Sequence, residues 1–380
     1  MLRSYKIRLY PNKNQVQQMF QHIGASRYIW NWAIDIQKAN HEEGKPHIKP
    51  FDIIRMLTPL KHDGEHEWLN DVSNASLQHA CVELEAAYSR FFKKQAGYPQ
   101  YRSRKRSAKS FAVDSYRTFF KTDRQVQLPV IGLVKYKTDL KIPIGKEYHF
   151  KDPRVMFKQN KWFLSICIEV EKQDCILTNT NMGIDLGVKA TATVVNGTEQ
   201  IVYPNINKSK QVRDLIQKEK YFSRRISKKY EFGKRGCIYT RTRNIDKLEN
   251  KVRRIRNRIA NIRNNYNHQM TAALVNKLPK RVVMEDLNVL GMMKNKHLAK
   301  AVQSQNFDRI YRMMKYKCEN KGIEFVTADR FFPSSRLCRN CGSINKKLTL
   351  ADRTFVCPEC GYTCDRDFNA AQNLMEYKVH

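Results

Sequence analysis

Residues 181–190 read NMGIDLGVKA, and residues 281–289 read RVVMEDLNV. Each is a short apolar strand that delivers a carboxylate where a core side chain is expected. Asp185 stands between Ile184 and Leu186, and Glu285 follows directly on Val282, Val283 and Met284. An acid at the end of a buried strand has to be paired, protonated or metal-bound. Gly183 and Gly187 flank Asp185, and the expectation is that they keep the backbone open to a bulky duplex or phosphate. A third acid lies in CDRDFNAAQNL, residues 364–374. There Asp367 is expected at the start of a last helix, from about Asp367 to Tyr377, with Ala370, Ala371 and Leu374 packed behind it.

Taken singly, each of these acids reads as a cap or a salt bridge. Their order, Asp-x-Gly on a first strand, Glu on a later strand and Asp on the last helix, makes the joint case for catalysis. Three converging carboxylates repel one another unless cations lie between them. Two Mg²⁺ ions about 3.5–4 Å apart would neutralise them and activate a water for in-line attack on a phosphodiester. Asp286 and Asp365 are the rivals. Asp286 points to the opposite face from Glu285 if the strand continues, and Asp365 suits a loop or capping role.

Over the C-terminal third strands alternate with helices, with strand IEFVTAD following a helix over Asn306–Lys321, which points to an α/β layer. Residues 209–279 carry apolar positions such as Leu248, Val252, Ile255 and Ile259 at helical spacing, with Arg and Lys filling the rest. This predicts two antiparallel helices broken near Phe232-Gly233 and Gly236. Charges so nearly of one sign self-repel unless something anionic lies against them. Between about Ser107 and Val170 the short runs FAVDSYRTFF, VQLPVIGLVKYK, LKIPIG, RVMFKQ and KWFLSICIEVE predict a small β-barrel. The alternating SYKIRLY of residues 4–10 is expected to join it, leaving residues 12–105 as a helical insertion.

Four cysteines form Cys338-x2-Cys341-x15-Cys357-x2-Cys360. Two such knuckles fit a tetrahedral Zn²⁺ with four thiolates and no open position, hence a structural role. Cys364 is a nearby fifth thiol that breaks the spacing. Of the remaining Cys81, Cys167, Cys175, Cys237, Cys318 and Cys364, most read as small core residues.

The 380 residues suffice for two or three domains, and 41% apolar content is globular usage. Lys+Arg 70 against Asp+Glu 36 gives a net charge of +34, spread along most of the chain. Such a surface binds phosphate backbones by counterion release. A ribosome-associated or membrane-surface protein is the bland alternative, but a membrane would call for a basic amphipathic helix with a strongly apolar face. No run approaches the roughly 18 apolar residues that cross a bilayer, and MLRSYKIRLYP lacks the features of a secretory signal. A cytoplasmic protein is expected, ending at His380 with no long extension beyond the Asp367 helix.

These segments together resemble the TnpB (OrfB) family of bacterial insertion sequences, related to compact type V CRISPR nucleases. The resemblance rests on SYKIRLYPNKNQ, ASRYIWNWA, LEAAYSRFFKKQAGYPQYRSRKR, LPVIGLVKYK, GIDLGVKATATV, VVMEDLNVLGM, FFPSSRLCRNCG, CPECG and DRDFNAAQNL, which stand in the family's order over nearly the whole chain. It implies an RNA-guided DNA endonuclease that carries a transposon-derived guide RNA, reads a short target-adjacent motif in double-stranded DNA, and cuts at one RNase H-like (RuvC) centre. It implies metal acids at Asp185, Glu285 and Asp367, the last being the acid before Phe368-Asn369-Ala370-Ala371. The resulting α/β multidomain architecture has a wedge barrel at 1–11 and 106–178 and a helical recognition domain at 12–105. The RuvC domain spans 179–335 and 363–380, with a zinc ribbon inserted at 336–362, and one protomer per RNA is favoured. Gln78 is a candidate reader of adenine, or a solvated helix-start residue. Tyr98, Tyr101, Arg102, Arg104, Lys105 and Arg106 are candidates for base stacking and phosphate contact, or a generic RNA clamp.

Three other functions compete, the most distant being a zinc-ribbon RNA-binding structural protein, which accounts for charge and cysteines but leaves the placed acids unexplained. A single-strand transposase needs a His-x-His metal pair, which the sequence does not contain. A guided repressor or transposition accessory without cleavage would call for a broken acid set, and all three acids are present.

Overall fold

The structure, a computed structural model, describes residues 2–139, 142–169, 175–231, 242–349 and 352–378. The chain divides into two compact units, residues 1–171 and 172–380.

In the first unit, β1 (Leu2–Tyr10) buries Ile7 and Leu9, as its alternation demands, and Pro11 ends it. A capping box starts α1 (Lys13–Glu42): Asn12 Oδ1 accepts from the Gln15 amide at 2.9 Å, and Gln15 Oε1 accepts from the Asn12 amide at 3.0 Å. Then come α2 (Pro50–Arg55), α3 (Leu57–Leu60), a 3₁₀ turn over Glu67–Asp71 and α4 (Asn74–Phe92). The strands β2 (Ser110–Ala112), β3 (Phe119–Thr122), β4 (Gln125–Leu128), β5 (Gly132–Lys137), β6 (Lys151–Lys158) and β7 (Lys161–Glu169) complete the unit. They form one antiparallel sheet of seven strands, ordered β2-β6-β7-β1-β5-β4-β3, with β1 in its centre.

FAVDSYRTFF is not continuous strand. The Asp114 carboxylate accepts from the amides of Tyr116 and Arg117 and turns the chain between β2 and β3. Within LKIPIG, residues 142–145 run as loop, and Leu140 and Lys141 lie outside the described residues.

The thirty residues of α1 serve two cores. Met19 and Ile23 pack on the sheet with Leu9, Val134 and Leu164. Further along, Ile29, Trp30, Ala33 and Ile34 pack with Leu77, Cys81, Leu84 and Tyr88 of α4. Between these two stretches sits a buried polar joint. His22 Nδ1 donates to the Gln18 carbonyl at 2.8 Å, which leaves Nε2 to accept the Ser73 amide at 3.0 Å. Ser26 Oγ donates to the Ser76 carbonyl, and Ser76 Oγ to that of Ala112. Both ring nitrogens are committed in the neutral form, and burial lowers the pKa of His22 against the opposing pull of the Gln18 carbonyl.

The sign follows. The folded chain binds fewer protons here than the unfolded chain, so this contribution is fully present above about pH 6.5. It is lost as pH falls below that, down to the depressed folded value. His22→Leu orphans the buried Ser73 amide and is expected to cost about 1–3 kcal/mol at neutral pH. Unfolding midpoints at pH 7.5 and 5.5 check this: the variant's midpoint should move less than the wild type's. Equal movement in both would exclude His22 as the titrating group.

In the second unit, β8 (Asn181–Leu186), β9 (Ala190–Asn196) and β10 (Glu199–Pro204) form a meander. Two helices, α5 (Lys210–Glu231) and α6 (Arg243–Val275), lie antiparallel, with Arg256 on Glu219 and Tyr230 Oη donating to Glu249. The break expected at Phe232, Gly233 and Gly236, and Cys237, lie outside the described residues. Then follow β11 (Arg281–Glu285), α7 (Val289–Lys294), α8 (Ala299–Gln305), α9 (Phe307–Lys321), β12 (Glu324–Ala328), β13 (Thr354–Val356), β14 (Thr363–Asp365) and α10 (Arg366–Met375). The five-stranded sheet is ordered β10-β9-β8-β11-β12, and β8, β11 and β12 run parallel. Strand β10 was not anticipated, although the Asn196-Gly197 pair before it is a hairpin signal and Gly197 takes a φ of +60°.

Alternation assigns the two sheet faces. Met182, Ile184, Val282 and Met284 pack against Met270, Leu274, Ile310 and Met314 of α6 and α9. Val283 on the other face packs against Leu374 of α10, and Gly183 shares that face. No helix among the described residues is long and apolar enough to cross a membrane.

Candidate active site and four-cysteine cluster

The parallel register pairs Val283 with Gly183 and Met284 with Ile184. Its next step sets Glu285 beside Asp185, with neighbouring strands about 4.8 Å apart. Both acids follow the alternation of Gly183 and Val283, so they emerge on the α10 face. Helix α10 brings Asp367 to them in its first turn. Burial holds the Asp185 carboxyl well above the usual carboxylate range, and the charges of Glu285, Asp367 and Asp365 push it the same way. Arg366 alone among the named charges opposes them. Glu285 is raised as well, mainly by burial, while a hydrogen bond donated by the buried Ser334 hydroxyl opposes the rise. Three acids of one sign thus meet on one sheet face with an excess of negative charge.

The rivals have other partners. Asp365 is the N-cap of α10, accepting from the amides of Asp367 at 2.9 Å and Phe368 at 3.2 Å. Asp286 follows the end of β11 and accepts from Arg330 at 2.5 Å.

Gly183 does not leave the strand open to an incoming ligand, contrary to the expectation. A Cβ there would stand 1.9 Å from the Ala371 carbonyl oxygen and 2.4 Å from the Met375 amide nitrogen. The missing side chain instead admits the α10 backbone, and this close approach puts Asp367 in range of Asp185. Gly183→Ala must push α10 off the sheet. Overpacking of this kind typically costs about 1–3 kcal/mol. Melting of the variant should show the loss, and hydrogen exchange should place it in residues 366–375.

The four sulfurs of Cys338, Cys341, Cys357 and Cys360 lie within 4.8 Å of one another. Separations of 3.7 Å for Cys338–Cys360 and 3.5 Å for Cys341–Cys357 match the roughly 3.8 Å between thiolates on one tetrahedral zinc. Each knuckle closes alike. The Cys338 amide donates to the Ser343 carbonyl and the Cys357 amide to that of Tyr362, with Gly342 and Gly361 at φ +73° and +69°. Cys364 is half-buried in β14 and packs beside the cluster without joining it.

Ser334 was not anticipated, nor were the asparagines that hold its loop. Asn373 Nδ2 donates to the carbonyls of Ser334 at 2.7 Å and Leu337 at 2.8 Å. Asn369 Nδ2 donates to Leu337 at 2.8 Å. The residue before the first cysteine is therefore tied to the helix that carries Asp367.

In the first unit, Gln78 is exposed on α4, and Arg104, Lys105 and Arg106 are exposed in the loop after it. Arg102 sits over Trp30, its guanidinium carbon 3.5 Å from the ring centroid, and donates to Glu83 at 2.9 Å. Tyr101 donates to Asp35 and accepts from Lys38, while the Tyr98 and Tyr88 hydroxyls lie 3.0 Å apart.

Residues 1–46 match the family described as "Helix-turn-helix domain", 165–296 "Probable transposase", and 307–374 "Cas12f1-like, TNB domain". A protein of Streptomyces pristinaespiralis named "Putative RNA-guided DNA endonuclease" is 30% identical, over 98% of this chain and 88% of its own. One of the same description from Escherichia coli (strain K12) is 28% identical over 98% of this chain and 92% of its own. The Cas12f1 endodeoxyribonuclease of Sulfoacidibacillus thermotolerans is 28% identical over 66% of this chain and 59% of its own. Among solved structures, a Cas12f1–sgRNA–target DNA complex contains a chain that superposes with a TM-score of 0.56 at 12% identity, covering 99% of this chain and 98% of that one, a likeness of fold.

Proposed function

The chain belongs to the TnpB (OrfB) family of RNA-guided DNA endonucleases, relatives of Cas12f1, and from that premise we propose that Asp185, Glu285 and Asp367 are its cutting centre. The observation that carries the assignment is the meeting of these three acids on the α10 face of one sheet, where burial and mutual repulsion raise Asp185. The meander followed by parallel strands, in the order β10-β9-β8-β11-β12, supports an RNase H-like (RuvC) fold for residues 179–335 and 363–380. Residues 336–362 are the zinc ribbon. The antiparallel sheet supports a wedge barrel from 1–11 and 106–178, with 12–105 as the helical recognition domain.

Hard carboxylate oxygens with an excess of negative charge fit Mg²⁺, held by Asp185, Glu285 and Asp367. Bound there, a pair of Mg²⁺ ions supplies an activated water and neutralises charge on the phosphate. The chain's own part is orientation. The register of β8 and β11 fixes two acids side by side, Ser334 holds Glu285, and Asp365 fixes the first turn of α10 so that Asp367 faces them. Four thiolates at tetrahedral spacing fit a structural Zn²⁺ at Cys338, Cys341, Cys357 and Cys360.

Guide RNA and double-stranded target DNA are the partners. The exposed Gln78, Tyr98, Tyr101, Arg104, Lys105 and Arg106 are available to them. The protein acts in the cytoplasm. The test is expression with the flanking DNA of its gene, sequencing of co-purified RNA, and Mg²⁺-dependent cleavage of a plasmid matched to that RNA. A chain that carries a discrete RNA but leaves the plasmid intact would instead be a guided repressor or a transposition accessory.

A further inference from the structure

A cavity of about 400 Å³ opens in the first unit between α1 and residues 102–110, the loop that leads into β2. That volume lies within the range of small-ligand pockets. Four cations line it, Arg27, Arg102, Arg104 and Lys109, and no carboxylate does. Arg102 is held by Glu83, whereas Arg27 and Arg104 make no ion pair among the described residues. The floor is Gly24, in the middle of α1. A mid-helix glycine lowers helix stability relative to alanine. No packing explains it here, because a Cβ at Gly24 would meet nothing within 4 Å. Gly24 borders this cavity and also a smaller one towards Trp68 and Asp71, so the space above it is continuous open groove. At the rim Phe20 is 40% exposed, braced edge-on by Trp162 at 5.0 Å and Phe157 at 5.1 Å.

We propose that this cavity takes a single unstacked nucleotide, with the phosphate on Arg27 and Arg104 and the base over Gly24 against Phe20. Guanidinium groups offer planar forks of donors that fit phosphate oxygens, and an aromatic face accepts any base. A duplex does not enter a space of this size, so the nucleotide comes from an unpaired strand. The sources are the guide RNA outside its pairing and the DNA strand displaced by that pairing. The proposal rests on the nucleic-acid function above, and it adds Phe20, Gly24, Arg27 and Lys109 as binding residues.

The probes are labelled dodecamers of ribouridylate and deoxyuridylate, which differ only in the 2′-hydroxyl, bound to the full chain without target DNA. Gly24→Leu fills the cavity without changing charge, and Arg27→Gln removes one cation. Each should weaken ribouridylate binding on the order of tenfold. Arg27→Gln should also make the salt dependence shallower by about 0.7, and Gly24→Leu should leave it unchanged. Gly24→Ala fits the open space and should bind like the wild type with a raised melting temperature. Loss confined to the ribo-oligomer assigns the guide RNA, and equal loss with both assigns the displaced strand as well. If folded Gly24→Leu and Arg27→Gln bind both oligomers with wild-type affinity, the pocket proposal fails. If plasmid cleavage is absent while both substitutions weaken binding, the pocket stands and the guided-nuclease reading falls.

Discussion

Asp185→Ala will leave the guide RNA bound and will cut a matched plasmid roughly a thousandfold more slowly, or not at all. Glu285 on the adjacent strand and Asp367 on α10 both lie close enough to push the Asp185 carboxyl up, so its loss removes the carboxylate that both act on. Metal stabilisation of a phosphodiester transition state is worth several kcal/mol, and about 4 kcal/mol corresponds to the stated factor.

The same substitution should move stability the opposite way. A raised carboxyl pKa means that the folded chain binds more protons than the unfolded one. Without divalent cations, stability therefore falls as pH rises from about 4 through the raised values of Asp185 and Glu285. In a chelator at neutral pH, Asp185→Ala relieves that repulsion and should melt above the wild type. Mg²⁺ should raise the wild-type midpoint and leave the variant nearly unmoved. Cleavage that survives Asp185→Ala, or an equal Mg²⁺ shift in both proteins, would sink the assignment.

The two strand acids could be read from sequence because a carboxylate after three or four apolar residues is an anomaly that burial makes costly. Their shared face was readable too, once both strands had a period of two. The third acid was not decided in this way. Asp365 and Asp367 both suit a helix start, and only the amides of Asp367 and Phe368 closing on Asp365 mark Asp365 as the cap. Gly183 shows a different limit. Glycine serves open backbone and close backbone equally well, and the difference lies in α10, 188 residues further along the chain at Ala371. Ser334 gave no local sign at all, since its hydroxyl matters only through Glu285, 49 residues away. The knuckles were readable from spacing alone, because Cys-x-x-Cys-Gly encodes its own turn through Gly342 and Gly361.

Those knuckles carry the second large effect. Cys338 begins where Leu337 ends, and the Leu337 carbonyl is the shared acceptor of Asn369 and Asn373 of α10. Three residues earlier, Ser334 gives its carbonyl to Asn373 and its hydroxyl to Glu285. Collapse of the cluster would therefore release both asparagines, buried on α10, and the hydroxyl that orients Glu285. Structural zinc in small domains contributes about 10–16 kcal/mol of apparent binding energy, which the few core residues here, Leu348 and Phe355 beside the cysteines, cannot replace. The purified chain should hold about one zinc per molecule by elemental analysis. Cys357→Ser, or a strong chelator followed by excess Mg²⁺, should lower cleavage by about a hundredfold, the upper range for removing groups that orient metal ligands. Zinc should restore the chelated wild type and not the variant. Hydrogen exchange should rise in residues 334–337 and 366–375 together, because one set of hydrogen bonds joins them. Zinc-free protein that cuts at the wild-type rate, or exchange that rises in the ribbon and not in α10, would show that the cluster stabilises only itself.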